Sequence, residues 1–267
     1  MPGAEGLFTF DGASYHPSEF TRGPWRPDAQ HGGPPSALLA ALCEVHVEGA
    51  EFLAQLNIGL LRPVGLTELT GSAERRKVSG RVAEIVAELH DGTETVARAT
   101  ALVLAETNLG EPEWQAEEQP PTEPPSPDHA VEPPRWASGD VTTYHRNAVE
   151  HRFTEGSFRT PGPAVDWMRL RMPVIEGVAP TGLQRVAAAA DFGSGISAVY
   201  GPKASVGLIN ANLTIAFVRA HVGEWVSVDA ITHVGPQGTG LGVTRLGDSD
   251  GLVAIATQSL LGYSTTR

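Results

Sequence analysis

The sequence repeats itself at a constant offset of 157 residues, and this repeat constrains the fold more than any other feature. When 56–103 is aligned with 213–260 without a gap, 11 of 48 positions are identical. The clearest match is VARAT at 96–100 with VAIAT at 253–257. A fixed period of this length indicates that one structural unit occurs twice. We therefore expect two copies of one module, each with the same order of elements.

A segment of unusual composition separates the two copies. From Glu111 to Pro134 there are eight prolines and seven acidic residues in 24 positions, and neither lysine nor arginine. Such a segment buries too little apolar surface to fold alone, so it is typical of a linker. The predicted organisation is an N-terminal module over 1–107, a Pro/Glu-rich linker over 108–139 and a C-terminal module over 140–267.

Each copy is predicted to contain one helix. PPSALLAALCEVHVEG at 34–49 has proline at its start, as helices often do. TGLQRVAAAADFGSGIS at 181–197 takes the same place in the second copy. The spacing of apolar residues predicts that the buried face of the first helix is formed by Leu38, Leu39, Leu42 and Val45.

Four strands are predicted to follow each helix, from their alternation of apolar and polar residues. In the first copy they lie at about 53–63, 66–78, 81–90 and 94–106. In the second copy they lie at about 208–219, 224–234, 239–247 and 252–264. Additional strands are expected near 7–10, 148–154 and 164–172. One helix against one long antiparallel sheet, twice over, predicts the α+β class.

The charge of the chain excludes some partners. The net charge of −12 repels the phosphates of nucleic acid and anionic lipid surfaces, so we expect neither nucleic acid nor a membrane as a partner. The first residues, MPGAEGLFTF, lack a basic segment followed by an apolar one, and no apolar run approaches the roughly 18 residues of a membrane span. We therefore expect a cytoplasmic protein.

No metal site or resident cofactor is expected. Cys43 is the only cysteine, which excludes an intrachain disulfide and a cysteine-built zinc site. It lies in the apolar stretch SALLAALCEV, so we expect it to be a small buried hydrophobe. The nine histidines show no H-E-x-x-H or comparable cluster.

Asp191 is the strongest candidate for a catalytic group. It stands in AAAADFGSGIS between a run of alanines and a pair of glycines. A carboxylate shielded in this way can act as a general base toward water, and a neighbouring side-chain amide can hold carboxylate and water together. The glycines that follow would let a main-chain N–H approach a developing oxyanion, and Gly193 is the candidate donor. Capping a turn is the structural alternative for Asp191.

Several segments occur in a characteristic order and spacing along almost the whole chain outside the linker. They are GPWRPDAQHGGPPSALLAAL at 23–42, LRPVG at 61–65, ADFGSG at 190–195, NANLTIAFVR at 210–219, GEW at 223–225 and GLVAIATQSLLGYS at 251–264. In this order they resemble the double-hotdog acyl-CoA thioesterases related to thioesterase II. The resemblance implies two hotdog modules in one chain, each sheet wrapped around a central helix, packed sheet edge to sheet edge as a pseudo-dimer.

The resemblance also implies an activity and a site. Members of this family hydrolyse the thioester of acyl-coenzyme A, a reaction of lipid metabolism in which coenzyme A is part of the substrate. They use an Asp on the second helix, a Thr, Ser or Asn on the following strand, and a Gln on the last strand. In this sequence those positions are Asp191, Asn210 and Gln258. Asn212 and Thr214 are alternatives to Asn210, since two-residue spacing puts all three on one face of a strand.

The start of the first helix is a candidate for substrate binding. HGGPP places His31, Gly32 and Gly33 where free N–H groups and the helix dipole favour an anion. These residues are therefore expected to touch substrate at the interface of the two modules. A structural role for the histidine before a Gly-Gly turn is the alternative, and Trp25 nearby is expected in the core.

The repeat offers an internal control for the site. At the offset of 157 the three catalytic candidates, Asp191, Asn210 and Gln258, fall on Pro34, Leu53 and Ala101. The first module then lacks all three polar side chains, so the fold does not need them. This pattern predicts one active site and one that has lost its function.

Two other functions are compatible with a double hotdog. The rival from another class is an acyl-binding or catalytically silent protein that has kept the fold and lost hydrolysis. A hotdog hydratase is disfavoured, because its signature has His five residues after the Asp and this chain has Ile196 there. Exposed sheet edges make assembly into a homo-oligomer possible.

Overall fold

The two-module architecture is confirmed in a computed structural model of the chain. The structure describes residues 6–92, 94–114, 123–134, 139–201 and 204–264. Two parts of the predicted linker, 115–122 and 135–138, lie outside the described residues. The described part is an α+β fold with one long antiparallel sheet and two principal helices.

The helices and strands follow the predicted order, with some different ends. The helices are α1 Gly33–Glu44, α2 Gly182–Ala190 and the short α3 Gly193–Ile196. The strands of the N-terminal half are β1 Phe8–Phe10, β2 Tyr15–Pro17, β3 Glu51–Leu60, β4 Thr70–Lys77, β5 Val82–Asp91 and β6 Glu94–Ala105. Those of the C-terminal half are β7 Val149–Ser157, β8 Thr160–Leu170, β9 Val206–Asn210, β10 Asn212–Phe217, β11 Trp225–Val234, β12 Thr239–Asp248 and β13 Gly251–Ser264.

The two modules join through their first long strands. The order across the sheet is β4-β5-β6-β3-β10-β13-β12-β11-β8-β7, and β3 pairs antiparallel with β10. The register places Leu213 opposite Ile58 and Ile215 opposite Leu56. At the offset of 157, Leu56 corresponds to Leu213, the partner of Ile58, and Ile58 corresponds to Ile215, the partner of Leu56. The junction therefore has the twofold symmetry that the sequence repeat predicts. The edge-to-edge pseudo-dimer is therefore present as expected.

The helix α1 is buried on all sides, which differs from the single apolar face predicted for it. Leu38, Leu39, Ala40 and Cys43 are fully buried. Val45 follows the end of the helix and is 78% exposed, so its assignment to the buried face is wrong. A helix enclosed by a curved sheet and by α2 has no solvent face on which polar residues could alternate. Among the described residues, no helix is long and apolar enough to cross a bilayer.

The end of the predicted linker packs on the outermost strand of the C-terminal module. Val131 donates its main-chain N–H to the carbonyl of His151 at 2.9 Å, and Arg152 donates from Nη1 to the carbonyl of Pro125 at 2.6 Å. The N–H and C=O groups of an edge strand are a template for unwanted pairing. The segment therefore covers part of the open edge of β7.

Cys43 gives a direct test of the predicted core. Its side chain is fully buried, and burial raises the pKa of the thiol to about 12. The thiolate is the reactive form, so we expect iodoacetamide at pH 8 to leave the folded protein unmodified and to label it after denaturation. Mass spectrometry reads the result without ambiguity because the chain has one cysteine. Rapid labelling of the folded protein would contradict this burial.

Candidate active site

Asp191 lies where the end of α2 meets the start of α1. The two helices run antiparallel, and Asp191 is the residue that follows the last turn of α2. Its side chain is 5% exposed. The first turn of α1 begins next to the carboxylate, with Gly32 immediately against it. The candidate site is thus built at the interface of the two modules, as the sequence predicts.

Groups from β9 and from the start of α1 lie at the Asp191 carboxylate. Asn210 donates from Nδ2 to Oδ1 at 2.8 Å. Nδ1 of His31 lies 3.0 Å from Oδ2, and the main-chain N–H of Gly33 donates to that Nδ1 at 3.0 Å. Burial acts to raise the pKa of Asp191, but the bond and charge of His31, with the bond from Asn210 and the nearby N–H of Gly33, outweigh it and hold the pKa below its ordinary value. The carboxylate is therefore ionised at neutral pH.

The start of α1 presents a single main-chain N–H to the His31 ring beside this carboxylate. The N-terminus of a helix leaves several main-chain donors without partners and favours a negative charge. Pro34 and Pro35 have no N–H, so Gly33 provides the donor in the first positions of the helix. The proline pair thus leaves one N–H at this end of the helix, and it donates to Nδ1 of His31 next to the Asp191 carboxyl.

At Gly32, the Asp191 carboxylate occupies the space that a side chain would need. A Cβ at Gly32 would lie 2.6 Å from Oδ2 and 2.7 Å from Oδ1 of Asp191. We expect Gly32→Ala to displace the carboxylate and to lower kcat by about 10²-fold, the size of effect that a 1 Å misplacement can have. The backbone itself tolerates alanine there, since φ is −67°.

The measurement for Gly32→Ala is steady-state acyl-CoA hydrolysis beside thermal unfolding. Gly80→Ala is the matched control, because a methyl group there meets no atom within 4 Å. We expect both variants to unfold near the parent temperature and only Gly32→Ala to lose turnover. Full activity in Gly32→Ala would show that the carboxylate position is not critical.

Asn210 faces the helices because the strand is interrupted at Ala211. Asn210 is opposite Leu260 on β13, whereas Thr214 is opposite Thr257. The four residue steps from 210 to 214 therefore span the same distance along the sheet as the three steps from 260 to 257 on β13. The additional residue is a β-bulge, and a bulge changes the side of the sheet to which the residues before it point. It brings the Asn210 amide onto the same side as Asp191.

The expectation that Asn212 and Thr214 share the face of Asn210 is wrong for the same reason. Leu213 and Ile215 are fully buried on the helix side, so their neighbours Asn212 and Thr214 point to the opposite side. Asn212 accepts the main-chain N–H of Ser259 through Oδ1 at 2.8 Å. Of the three candidates, the structure brings only Asn210 to the carboxylate. A one-residue bulge leaves no trace in strand periodicity, so the sequence could not distinguish them.

The first module has the same bulge without the polar side chains. Between Leu53 and Gln55, the pairing of β3 with β6 shifts by one residue. Leu53 thus takes the place of Asn210 and is buried there. Ala101 likewise takes the place of Gln258 and is fully buried. The offset of 157 therefore identifies the correct counterparts of Asn210 and Gln258, and neither counterpart in the first module carries an amide.

The offset fails for the helices, and the pairing of Asp191 with Pro34 is wrong. Pro34 lies at the start of α1, whereas Asp191 lies at the end of α2. The residue that follows the end of α1 is Val45, and the carboxylate near it is that of Glu44, one position earlier, which accepts bonds at Oε2 from Thr181 Oγ1 at 2.9 Å and Gln184 Nε2 at 3.1 Å. A longer connection between helix and strand in the second module shifts the alignment. The first module thus keeps a carboxylate but lacks the amides.

Gln258 holds the break between α2 and α3, where the sequence predicts one continuous helix. Nε2 donates to the main-chain carbonyl of Asp191 at 3.2 Å, and Oε1 accepts the N–H of Ser194 at 2.9 Å. These two main-chain groups would otherwise bond within a helix. Gln258 therefore contacts the main chain on either side of the break, and in the described contacts its amide bonds the Asp191 main chain and not the carboxylate.

Gly193 is explained by packing in this structure. A Cβ there would overlap Oγ1 of Thr244 and lie 3.2 Å from Oε1 of Gln258. The absence of a side chain lets the short helix α3 approach β12 and β13 closely. The role of its N–H as an oxyanion donor stays a prediction.

An aromatic cluster, which the sequence did not indicate, surrounds the His31 ring. The ring lies 4.6 Å from that of Phe192 and 5.1 Å from that of Tyr144. Tyr144 is fully buried and donates its hydroxyl to the carbonyl of Ala188 at 3.1 Å. Burial, with the charge of Asp191, raises the pKa of this phenol well above its ordinary value, so it stays neutral. Trp25, expected in the core, is instead 55% exposed.

A second pair of titratable residues is buried behind Phe192. Nδ1 of His151 lies 2.6 Å from Oδ2 of Asp166, and both side chains are fully buried. The rings of His151 and Phe192 are 5.2 Å apart, edge to face. The sequence carries a signal for this pair, because His151 and Asp166 each occupy a buried position in the apolar alternation of β7 and β8. Within the described ranges, no three His, Cys, Asp or Glu side chains are grouped to hold a metal ion.

Comparison with protein families identifies the two halves separately. The family model described as acyl-CoA thioesterase N-terminal domain matches residues 21–104, and the one described as acyl-CoA thioesterase C-terminal domain matches residues 116–261. The chain belongs to the acyl-CoA thioesterase family. The matched residues include each of the groups that face the Asp191 carboxylate. No significant match occurs among curated proteins.

Solved structures agree with the family at the level of the fold. A hotdog-fold protein of unknown function from Alicyclobacillus acidocaldarius is 17% identical, with a TM-score of 0.72 over 96% of both chains. A protein assigned as a thioesterase II from Thermobifida fusca is 16% identical, with a TM-score of 0.70 over 98% of this chain and 99% of the other. An acyl-CoA thioesterase II from Mycobacterium marinum is 16% identical, with a TM-score of 0.63 over 98% and 96%. The double hotdog is thereby confirmed.

Proposed function

We propose that this chain hydrolyses an acyl-CoA thioester with a water molecule activated at the Asp191 carboxylate. The observation that carries the proposal is the ionised, buried carboxylate held at the junction of the two modules by Asn210 and His31. Membership of the acyl-CoA thioesterase family supplies the thioester as the bond to be broken. The charge of the carboxylate favours loss of a proton from water beside it.

The reaction balances with water as the only other reactant. The water oxygen attacks the thioester carbonyl carbon and loses one proton to the site, which gives a tetrahedral oxyanion. The carbon–sulfur bond then breaks, and the proton passes to the sulfur. The products are a carboxylic acid and the free thiol of coenzyme A. The chain needs no resident cofactor for these steps, and they suit acyl-CoA turnover in lipid metabolism of the cytoplasm.

The roles of the neighbouring amides follow from their contacts. Asn210 fixes one carboxylate oxygen, so the carboxylate cannot rotate away from the water. Gln258 fixes the main chain at Asp191 and Ser194, and thus the position from which the Asp191 side chain leaves the backbone. Both are positioning residues in this proposal.

Thiol release from a panel of acyl-CoA esters tests the proposal. The panel contains short, medium, long and aromatic acyl groups, and the released thiol is measured with a thiol-reactive chromophore. We expect turnover of at least one ester. Saturable binding of acyl-CoA without turnover of any ester would contradict hydrolysis and favour the silent acyl-binding protein.

A further inference from the structure

We propose that His31, which the N-terminal module contributes, takes the proton from the attacking water at Nε2, with Asp191 as its orienting partner. This inference rests on the proposed thioester hydrolysis and assigns the proton-accepting atom within the same site. The two residues are 160 positions apart and belong to different modules. A complete active site then requires both halves of the chain.

His31 and Asp191 form a close, buried contact between an imidazole and a carboxylate. Nδ1 lies 3.0 Å from Oδ2, and the two side chains are only 12% and 5% exposed. A buried carboxylate on one ring nitrogen holds the imidazole in one tautomer and orientation and stabilises the imidazolium that forms when the other nitrogen takes a proton. Asn210, bonded to Oδ1, fixes the carboxylate in turn.

The position of the proton on Nδ1 follows from its two neighbours. Nδ1 is 3.0 Å from the main-chain nitrogen of Gly33 and also 3.0 Å from Oδ2 of Asp191. An unprotonated Nδ1 would accept from Gly33 but would face the negative carboxylate with a lone pair, in a site with little water to screen the repulsion. A protonated Nδ1 removes this repulsion and gives the buried carboxylate a donor, at the cost of the bond from Gly33. An interaction with a charged group is the stronger of the two, so we assign the proton to Nδ1.

This assignment leaves Nε2 as the free nitrogen of the neutral ring. In the part of the chain that the structure describes, no hydrogen bond to Nε2 of His31 is present. Nε2 is also not one of the buried side-chain polar atoms that lack a partner, so it keeps some exposure to solvent. Phe192 and Tyr144 pack against the ring at 4.6 and 5.1 Å. The ring is therefore packed against these two aromatic rings while Nε2 stays accessible to a water molecule.

The carboxylate is less suited than the imidazole to accept the proton. Asp191 already accepts from Asn210 and lies against Nδ1 of His31, and its pKa is below the ordinary value of a carboxyl group. Imidazole is the side chain that most often takes and returns a proton in general acid–base catalysis. The negative charge of Asp191 contributes by stabilising the protonated ring.

The proton transfers can be written completely for this pair. Nε2 takes a proton as the water oxygen bonds to the carbonyl carbon, which gives an imidazolium beside the Asp191 carboxylate. When the carbon–sulfur bond breaks, Nε2 returns the same proton to the sulfur. The ring and the carboxylate are then as they were before the reaction.

The variant that isolates the base is His31→Asn. The Asn amide nitrogen approximates the position of Nδ1, so it can still donate to Asp191 while the Nε2 base is removed. We expect kcat to fall about 10²- to 10⁴-fold, the range of general-base catalysis, with KM within a few-fold of the parent. His31→Gly is the second variant, and we expect added imidazole to restore part of its activity in a saturable way. Circular dichroism and thermal unfolding check that both variants fold.

The outcomes separate this inference from the function on which it rests. Near-parental kcat in His31→Asn, together with inactive Asp191→Asn, would overturn the assignment of His31 and leave thioester hydrolysis by Asp191 in place. A folded His31→Gly that imidazole does not rescue would also contradict the assignment. A parent protein without turnover on any ester would overturn both proposals.

Discussion

Asp191→Asn is expected to lower kcat for acyl-CoA hydrolysis by about 10²- to 10⁴-fold. The substitution keeps the shape of the side chain and removes its charge. Asn210 and His31 lie at the two oxygens of the carboxylate, and the amide offers them one oxygen and adds an NH₂ group of its own. Both the negative charge and the arrangement of the pair with His31 are lost. Thiol release under saturating acyl-CoA gives the measurement.

The matched control for this variant is Asp229→Asn. Asp229 is an exposed acid on β11, so its substitution makes the same change in net charge away from the junction of α1 and α2. We expect its kcat to equal that of the parent. Equal activity of Asp191→Asn and Asp229→Asn would show that the Asp191 carboxylate has no part in the reaction.

The strand arrangement could be predicted because it follows from local pattern and from the repeat. The alternation of apolar residues gave the strands, and the offset of 157 required β3 and β10 to occupy equivalent places. The twofold pairing of Leu56 with Ile215 and of Ile58 with Leu213 is the result. Such features are repeated within short windows of sequence, which is why sequence alone can reveal them.

The shape of the site depends instead on contacts between distant residues. The break after α2 is stabilised by Gln258, 67 residues later in the chain. The bulge at Ala211 changes the face of Asn210 without changing any residue type. The bond between His31 and Asp191 forms only when two modules meet. Periodicity does not report on any of these, so the residue types could be predicted and their partners could not.

Loss of the buried pair His151–Asp166 is the second change with a large expected effect. We expect Asp166→Ala to lower the free energy of unfolding by about 3–5 kcal/mol, because removing one partner of a buried pair leaves the other polar group uncompensated. Both side chains are fully buried and lie in the layer that supports Phe192. For a chain of this size the loss corresponds to a fall of roughly 6 to 20 °C in Tm. Calorimetry or denaturant unfolding measures it.

The hydrogen bonds of His151 show that the pair shares one proton. Nε2 lies 2.9 Å from the carbonyl of His145, which can only accept, so Nε2 carries a proton. Nδ1, 2.6 Å from Asp166, then either donates to a carboxylate or accepts from a carboxylic acid. Both forms have the same protons and no net charge. Burial raises the pKa of Asp166, although the charge and bond of His151 oppose the shift, which favours the neutral acid.

Asp166→Asn distinguishes the two forms of the pair. An Asn amide can donate to an unprotonated Nδ1 as the carboxylic acid does, so the neutral form predicts a much smaller loss of stability than in Asp166→Ala. An ionic pair predicts similar losses in both variants, because neither leaves a charge to balance the imidazolium. Equal Tm values for Asp166→Ala and the parent would contradict a structural role for the pair altogether. Since Phe192 lies between this pair and His31, the stability of the buried layer also determines how firmly the His31 ring is held.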